Sequence, residues 1–147
     1  MVKPPSLRLR AEDKGDLAVV AAAIQDAAFL MGDIVFDPKA RRLSAQINRF
    51  RWEAARKRGP FERIRSVLAI ESVLGVQSRK VRLGAPDAAG VILDMRFEPD
   101  AEEPSGAIVL SLGGGGDIRV EVECVDVTLT DVGAPWPTPR KPDHERY

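Results

Sequence analysis

Cysteine is nearly absent from this 147-residue chain, in which Cys124 stands alone. No disulfide can form within it, and no zinc centre of the multi-cysteine kind can be built. The single histidine, His144, lies in a Pro-rich stretch where neither a catalytic triad nor a metal cage can be assembled around it. Aromatic residues are sparse, with two Trp, one Tyr and five Phe, so few rings remain for stacking nucleic-acid bases. An excess of charge is missing as well: 22 basic and 22 acidic residues cancel, which removes the usual argument for general affinity to nucleic acid or membrane. Long apolar runs do not occur either. The longest helical one, Leu17 to Ile24, is interrupted by Gln25 and Asp26, and no segment is expected to span a bilayer. The start, Met1-Val2-Lys3-Pro4-Pro5, lacks the apolar region of a secretory signal. A cytoplasmic location is expected, and no cofactor or metal.

What the chain does have is enough apolar residue, 44%, for one sizeable core at a length typical of a single domain. Its charges cancel in total but not along the sequence. Lys39 to Arg82 holds 13 Lys/Arg against three acids, whereas Leu83 to Asp131 holds 11 Asp/Glu against two Arg. Such segregation bears on partners and solubility rather than on fold.

The pattern of apolar residues points to an α+β domain. Leu7-Arg8-Leu9-Arg10-Ala11 alternates as a short strand with one buried face. Asp13 or Asp16 then caps a helix whose stripe is Leu17, Val20, Ala21, Ile24, Ala27 and Ala28, ending near Met31-Gly32. Ile34-Val35-Phe36 and Leu43 to Trp52 read as a hairpin across an Asp37-Pro38 turn. Ile64 to Val76, Val91 to Phe97, Ala107 to Leu112 and Ile118 to Val132 continue a meander. The expectation is one main helix on a bent, mostly antiparallel sheet of about 6–8 strands, a partial barrel being one form it can take. Residues 1–132 form the domain in this reading. Residues 133–147, with Pro135, Pro137, Pro139 and Pro142, form an exposed tail that Trp136 can anchor.

The basic segment holds the candidate site. In the strand from Leu43, the apolar positions Leu43, Ala45 and Ile47 change parity to Phe50 and Trp52. A bulge near Asn48 would put all five inward and turn Arg49 and Arg51 outward. Pairing Phe50 with Ile64 would then oppose Arg49 to Arg65 and Arg51 to Arg63, so that four guanidinium groups share one patch. Opposed like charges weaken a sheet by roughly 0.2–1 kcal/mol a pair, so a compensating negative charge is expected over them. It can come from the acidic segment, through Asp94 and Glu98 or Glu121 and Glu123, or from a phosphate or carboxylate ligand suited to bidentate guanidinium forks. Arg56, Lys57 and Arg58 add three positive charges in the following loop.

Other signals read as structural. Gly113 to Gly116 resembles a phosphate-cradling loop, but a strand follows where such loops open a helix, so a hairpin tip is expected. Cys124 alternates with Ile118, Val120 and Val122 and is expected buried and inert. Asp94, Glu98, Glu121 and Glu123 fit the solvent face of strands better than an acid/base pair or a cation site.

Ala11-Glu12-Asp13 with Asp16-Leu17-Ala18-Val19-Val20, then Gln25-Asp26 and Gly32-Asp33-Ile34, resemble an uncharacterised alphaproteobacterial protein family (the domain of unknown function 2948 family). Asn48-Arg49-Phe50-Arg51-Trp52-Glu53, Arg96-Phe97-Glu98-Pro99, Glu121-Val122-Glu123-Cys124 and Leu129-Thr130-Asp131-Val132-Gly133 are similar to it too. The resemblance implies a bacterial cytosolic protein whose gene often neighbours that of histidinol dehydrogenase. It implies no activity and carries over no site residue.

The function expected on these grounds is non-catalytic binding of an anionic partner (an acidic protein, nucleic acid or a phosphate ligand) by Arg49, Arg51, Arg63, Arg65 and the loop Arg56, Lys57, Arg58. An alternative is self-assembly into a homo-oligomer by pairing of basic and acidic surfaces. A third is an enzyme acting on a phosphorylated small molecule, which lacks a nucleophile, base or metal constellation in the sequence.

Overall fold

A computed structural model describes residues 6–55, 59–139 and 141–142 of the chain. In order these form strand β1 (Arg8–Ala11), helix α1 (Lys14–Ile24), β2 (Ala28–Leu30), a 3₁₀ turn (Met31–Asp33), β3 (Ile34–Asp37), β4 (Arg42–Phe50), a second 3₁₀ turn (Trp52–Ala54), β5 (Phe61–Ile70), β6 (Val73–Arg79), β7 (Ala89–Pro99), β8 (Gly106–Leu112), β9 (Asp117–Val122) and β10 (Val127–Thr138).

Asp13 starts the helix by accepting the Asp16 N–H at 2.7 Å, a cap that contributes about 1 kcal/mol. Leu17, Val20 and Ile24 are its buried face, each stabilising by roughly 1.5–3 kcal/mol. The helix stops earlier than the stripe suggests. Gln25 leaves the helical region at ψ 131 and Asp26 follows at φ 63, a left-handed conformation that Asp tolerates, so the two together end helical propagation. The Asp26 N–H bonds to Ile92 O at 2.7 Å. Ala28 is therefore delivered to the sheet, opposite both Asn48 and Val91.

All strand pairs are antiparallel, and the hydrogen-bonded order is β1-β10-β5-β4-β2-β7-β8-β9-β6, with β3 also on β4. The sheet has ten strands rather than 6–8, and it does not close into a barrel. Alternation alone hid three strands. One is β2. The other two arise because the runs Ile64 to Val76 and Ile118 to Val132 each break, at Glu71-Ser72 and at 123–126. Both breaks fall at one corner: Glu71 N–H bonds to Asp126 O at 2.9 Å and Glu123 N–H to Ser72 O at 3.0 Å. The paired strands thus turn together, and β5–β10 passes into β6–β9. Leu43, Leu68 and Ile70 from one half join Ile108, Leu110, Val120 and Val122 from the other in one core, capped by α1.

Two smaller expectations are corrected here. Cys124 is half-buried in the corner rather than sealed in a strand. The residues after Val132 do not leave the sheet at once: β10 bulges between Val132 and Trp136 and then pairs Trp136, Pro137 and Thr138 with Arg63, Glu62 and Phe61. Trp136 keeps 37% of its surface exposed there. The glycine tip is a turn as expected, with Gly114 and Gly115 at φ 89 and 93.

Candidate functional site

The register of β4 against β5 runs without interruption from Leu43↔Ile70 to Phe50↔Arg63, so the bulge expected at Asn48 is absent. The parity change is left standing. Leu43, Ala45, Ile47 and Arg49 share one face, and it is the core face, with Ile64, Ser66, Leu68 and Ile70 alongside. Arg49 is therefore 0% exposed. Phe50 faces the other way, where Trp52 and Phe61 cover it at ring-centroid distances of 4.6 and 5.8 Å.

A buried guanidinium must be paired and fully bonded. Arg49 meets this with two carboxylates. Its Nε and Nη2 donate to Asp131 at 2.8 and 2.7 Å, and its Nη1 and Nη2 donate to Glu53 at 2.8 Å each. Asp131 is held in turn by the Ser66 hydroxyl at 2.6 Å and the Leu7 N–H at 2.9 Å. Burial works against the charge on all three groups, but the mutual hydrogen bonds outweigh it. The Arg49 pKa lies above its ordinary value, and those of Glu53 and Asp131 lie below theirs.

Depressed carboxyl pKa values contribute stability that is present above the unfolded values and lost as pH falls through the folded ones. We expect urea-unfolding stability to hold from neutrality to about pH 5 and to fall below about pH 4, the range of unperturbed Asp and Glu. In Asp131→Asn this acid slope should be shallower; an equal slope in both proteins would show that other carboxylates govern it.

The remaining arginines do not form the expected patch. Arg51, 6% exposed, donates through Nη1 to Glu62 at 2.6 Å. Arg63 donates through Nη1 to Asn48 O at 2.9 Å. Arg49 stands opposite Ile64, and Phe50 opposite Arg63, so neither Arg–Arg pair occurs. Arg56, Lys57 and Arg58 lie outside the described residues. Neutralisation of Arg49 and Arg51 comes from Asp131, Glu53 and Glu62 rather than from Asp94, Glu98, Glu121 or Glu123. Those four form exposed or half-exposed ion pairs with Arg96, Arg119 and Arg41. A sequence signal for the buried pair existed: Asp131 follows Val127 and Leu129, and Arg49 follows Ala45 and Ile47, each charge sitting on an apolar parity.

Only Arg65, among the candidate residues that are described, is exposed and free of an ion pair. It lines a cleft of about 210 Å³ together with Ala28, Leu30, Asp33, Gln46 and Asn48. The cleft exists because β2 touches β4 only at Ala28↔Asn48, while β3 rejoins it at Ile34↔Ala45. Between them the chain swings out through Met31–Asp33. Elsewhere, an apolar groove of about 240 Å³ lies between α1, Leu7, Leu9 and Trp52. Among the described residues no group of three or more His, Cys, Asp or Glu is placed to hold a metal, and no helix is long and apolar enough to cross a membrane.

No curated protein and no solved structure matches the chain. A family model does, over residues 7–144, under the description protein of unknown function (DUF2948). The match spans the helix, every strand and the buried Arg49 cluster, and the chain belongs to that family.

Proposed function

We propose that this is a bacterial cytoplasmic binding protein, non-catalytic, which takes an anionic ligand on the outer face of β4 and β5. Arg65 is the main contact, and Arg56, Lys57 and Arg58, which lie outside the described residues, add three positive charges to the sequence between β4 and β5. The observation that carries the reading is Arg65 itself, an exposed guanidinium without an ion pair, lining a concavity beside the side-chain amides of Asn48 and Gln46. Planar guanidinium and amide donors suit a phosphate or a carboxylate. Arg49 and Arg51, whose charges are already matched, support the strand that presents this face rather than meeting the ligand.

Self-assembly through basic-to-acidic pairing has less support. Seven of the eleven acids between Leu83 and Asp131 already hold an arginine of the same chain: Asp94, Glu98, Asp117, Glu121, Glu123, Asp126 and Asp131. Titration calorimetry with inorganic phosphate and with citrate checks the anion reading. Saturable binding is expected, weakened about tenfold or more in Arg65→Ala, since a hydrogen bond to a charged group contributes about 1.5–3 kcal/mol. Equal binding by both proteins would place the anion elsewhere.

A further inference from the structure

The cleft beside Arg65 carries charges of both signs. Arg65 stands on β5 directly opposite Asn48 on β4, and Asn48 stands opposite Ala28 on β2. Gln46 lies two residues along β4 and so on the same face as Asn48. Across the opening, the 3₁₀ turn supplies Asp33. Arg65 and Asp33 line the same space, yet no ion pair joins them, and neither holds another charged partner among the described residues. The side chains of Asn48 and Gln46 likewise make no hydrogen bond among the described residues. Four polar side chains therefore converge on one small cavity with their bonding capacity unspent.

A phosphate held by Arg65 would also face the Asp33 carboxylate, so the cleft binds such an anion more weakly than the guanidinium alone would. A ligand with a negative group at one end and a positive group at the other meets no such conflict. The volume, about 210 Å³, is below the range of roughly 300–1,000 Å³ usual for drug-sized molecules, so the ligand is small.

Resting on the anion-binding role of Arg65 given above, we infer that the cleft takes a small zwitterion, an α-amino acid. Its carboxylate is bound by the Arg65 guanidinium and its ammonium by the Asp33 carboxylate. The Asn48 and Gln46 amides bond whatever lone pairs or protons remain, and Ala28 and Leu30, on the face of β2 that Asn48 shares, form the apolar side. No bond is made or broken; the assignment is one of binding.

Two-dimensional NMR of the full chain, titrated singly with the common L-α-amino acids, tests it. At least one of them should shift the side-chain amide resonances of Asn48 and Gln46 saturably in the millimolar range or below. Its N-acetyl and C-amidated derivatives should bind about tenfold or more weakly, each having lost one charge-assisted contact. Asp33→Asn should weaken the amino acid while leaving inorganic phosphate and citrate unaffected or tighter. Both Asp33 and Arg65 are exposed, and retained dispersion of the remaining spectrum shows that each variant is folded. Should no amino acid perturb these amides while citrate or phosphate binds in an Arg65-dependent way, the zwitterion is wrong and the anion role stands. Should the blocked derivatives bind as well as the free amino acid, the zwitterion is again overturned. If none of the probes binds, both readings fall.

Discussion

The Asp131→Ala variant is expected to be less stable than the wild type by about 3–5 kcal/mol at neutral pH, the usual cost of removing one partner of a buried ion pair. Asp131 accepts two bonds from Arg49, one from the Ser66 hydroxyl and one from the Leu7 N–H. Its removal leaves a guanidinium that is 0% exposed with Glu53 as its only charged partner among the described residues. Glu53 cannot fully replace it, because its side chain is 40% exposed and part of its attraction is screened by solvent. Glu53→Ala should accordingly cost less than Asp131→Ala. The decisive comparison is Arg49→Met with Asp131→Leu in one chain. Removing both charges avoids the stranded ion, so most of the loss should return, since a buried pair is often no better than apolar residues of similar volume. Urea unfolding reads all three variants. A loss under about 1 kcal/mol for Asp131→Ala would mean that the pair behaves like an exposed one. The expected loss is a large share of the roughly 5–15 kcal/mol of a whole domain, so expression at low temperature is advisable.

Phe50→Ala is the second large effect, about 3–5 kcal/mol for truncating a fully enclosed ring. Phe50 is 0% exposed although it lies on the face opposite Leu43 and Ile47. What encloses it is local: Trp52 edge-on at 4.6 Å and Phe61 at 5.8 Å. Trp52 is held across it by donating its indole N–H to Gln25 O at 2.9 Å, which ties the second 3₁₀ turn to the end of α1. That anchor limits collapse into the space left by the ring, and a cavity that cannot collapse gives the higher part of the range. Unfolding in urea gives the magnitude, and Trp fluorescence should shift to longer wavelength as water reaches the indole. A stability loss below about 1 kcal/mol, far under the usual range, would mean that this second cluster is not sealed.

Much of the strand pattern was legible because one face of each strand is buried and side chains alternate with period two. β3, β4, β7 and β8 fall close to where alternation puts them, and the Asp37-Pro38 turn joins β3 to β4. The helix was legible at its start, where Asp13 caps it, and not at its end. Ala27 and Ala28 continue the helical stripe by composition, but Gln25 leaves the helix at ψ 131 and Asp26, at a left-handed φ, turns them into the sheet. The two long runs that break at Glu71-Ser72 and at 123–126 stay rich in apolar residues through their breaks, and the change of buried parity in the second, from Ile118, Val120 and Val122 to Val125, Val127 and Leu129, fits a bulge as well as a corner. Only the bonds across the corner show that they turn.

The candidate site divides in the same way. Charge segregation and the parity change at Asn48 are properties of the linear chain, and both are real. Alternation could not tell whether the backbone would bulge to keep arginine outside or run straight and bury it. Running straight costs the desolvation of one guanidinium; bulging costs ladder hydrogen bonds in a strand paired on both edges. Two carboxylates distant in sequence or across a turn tip that balance, since Asp131 arrives on β10 with Ser66 beside it and Glu53 on the turn that follows β4. Composition, parity and capping therefore determined that the chain is one helix on an antiparallel sheet with unbalanced charge along its length. Tertiary structure alone decided which arginines are paired inside and that Arg65 stays exposed with no ion pair among the described residues, because ion pairing depends on distances that alternation does not encode.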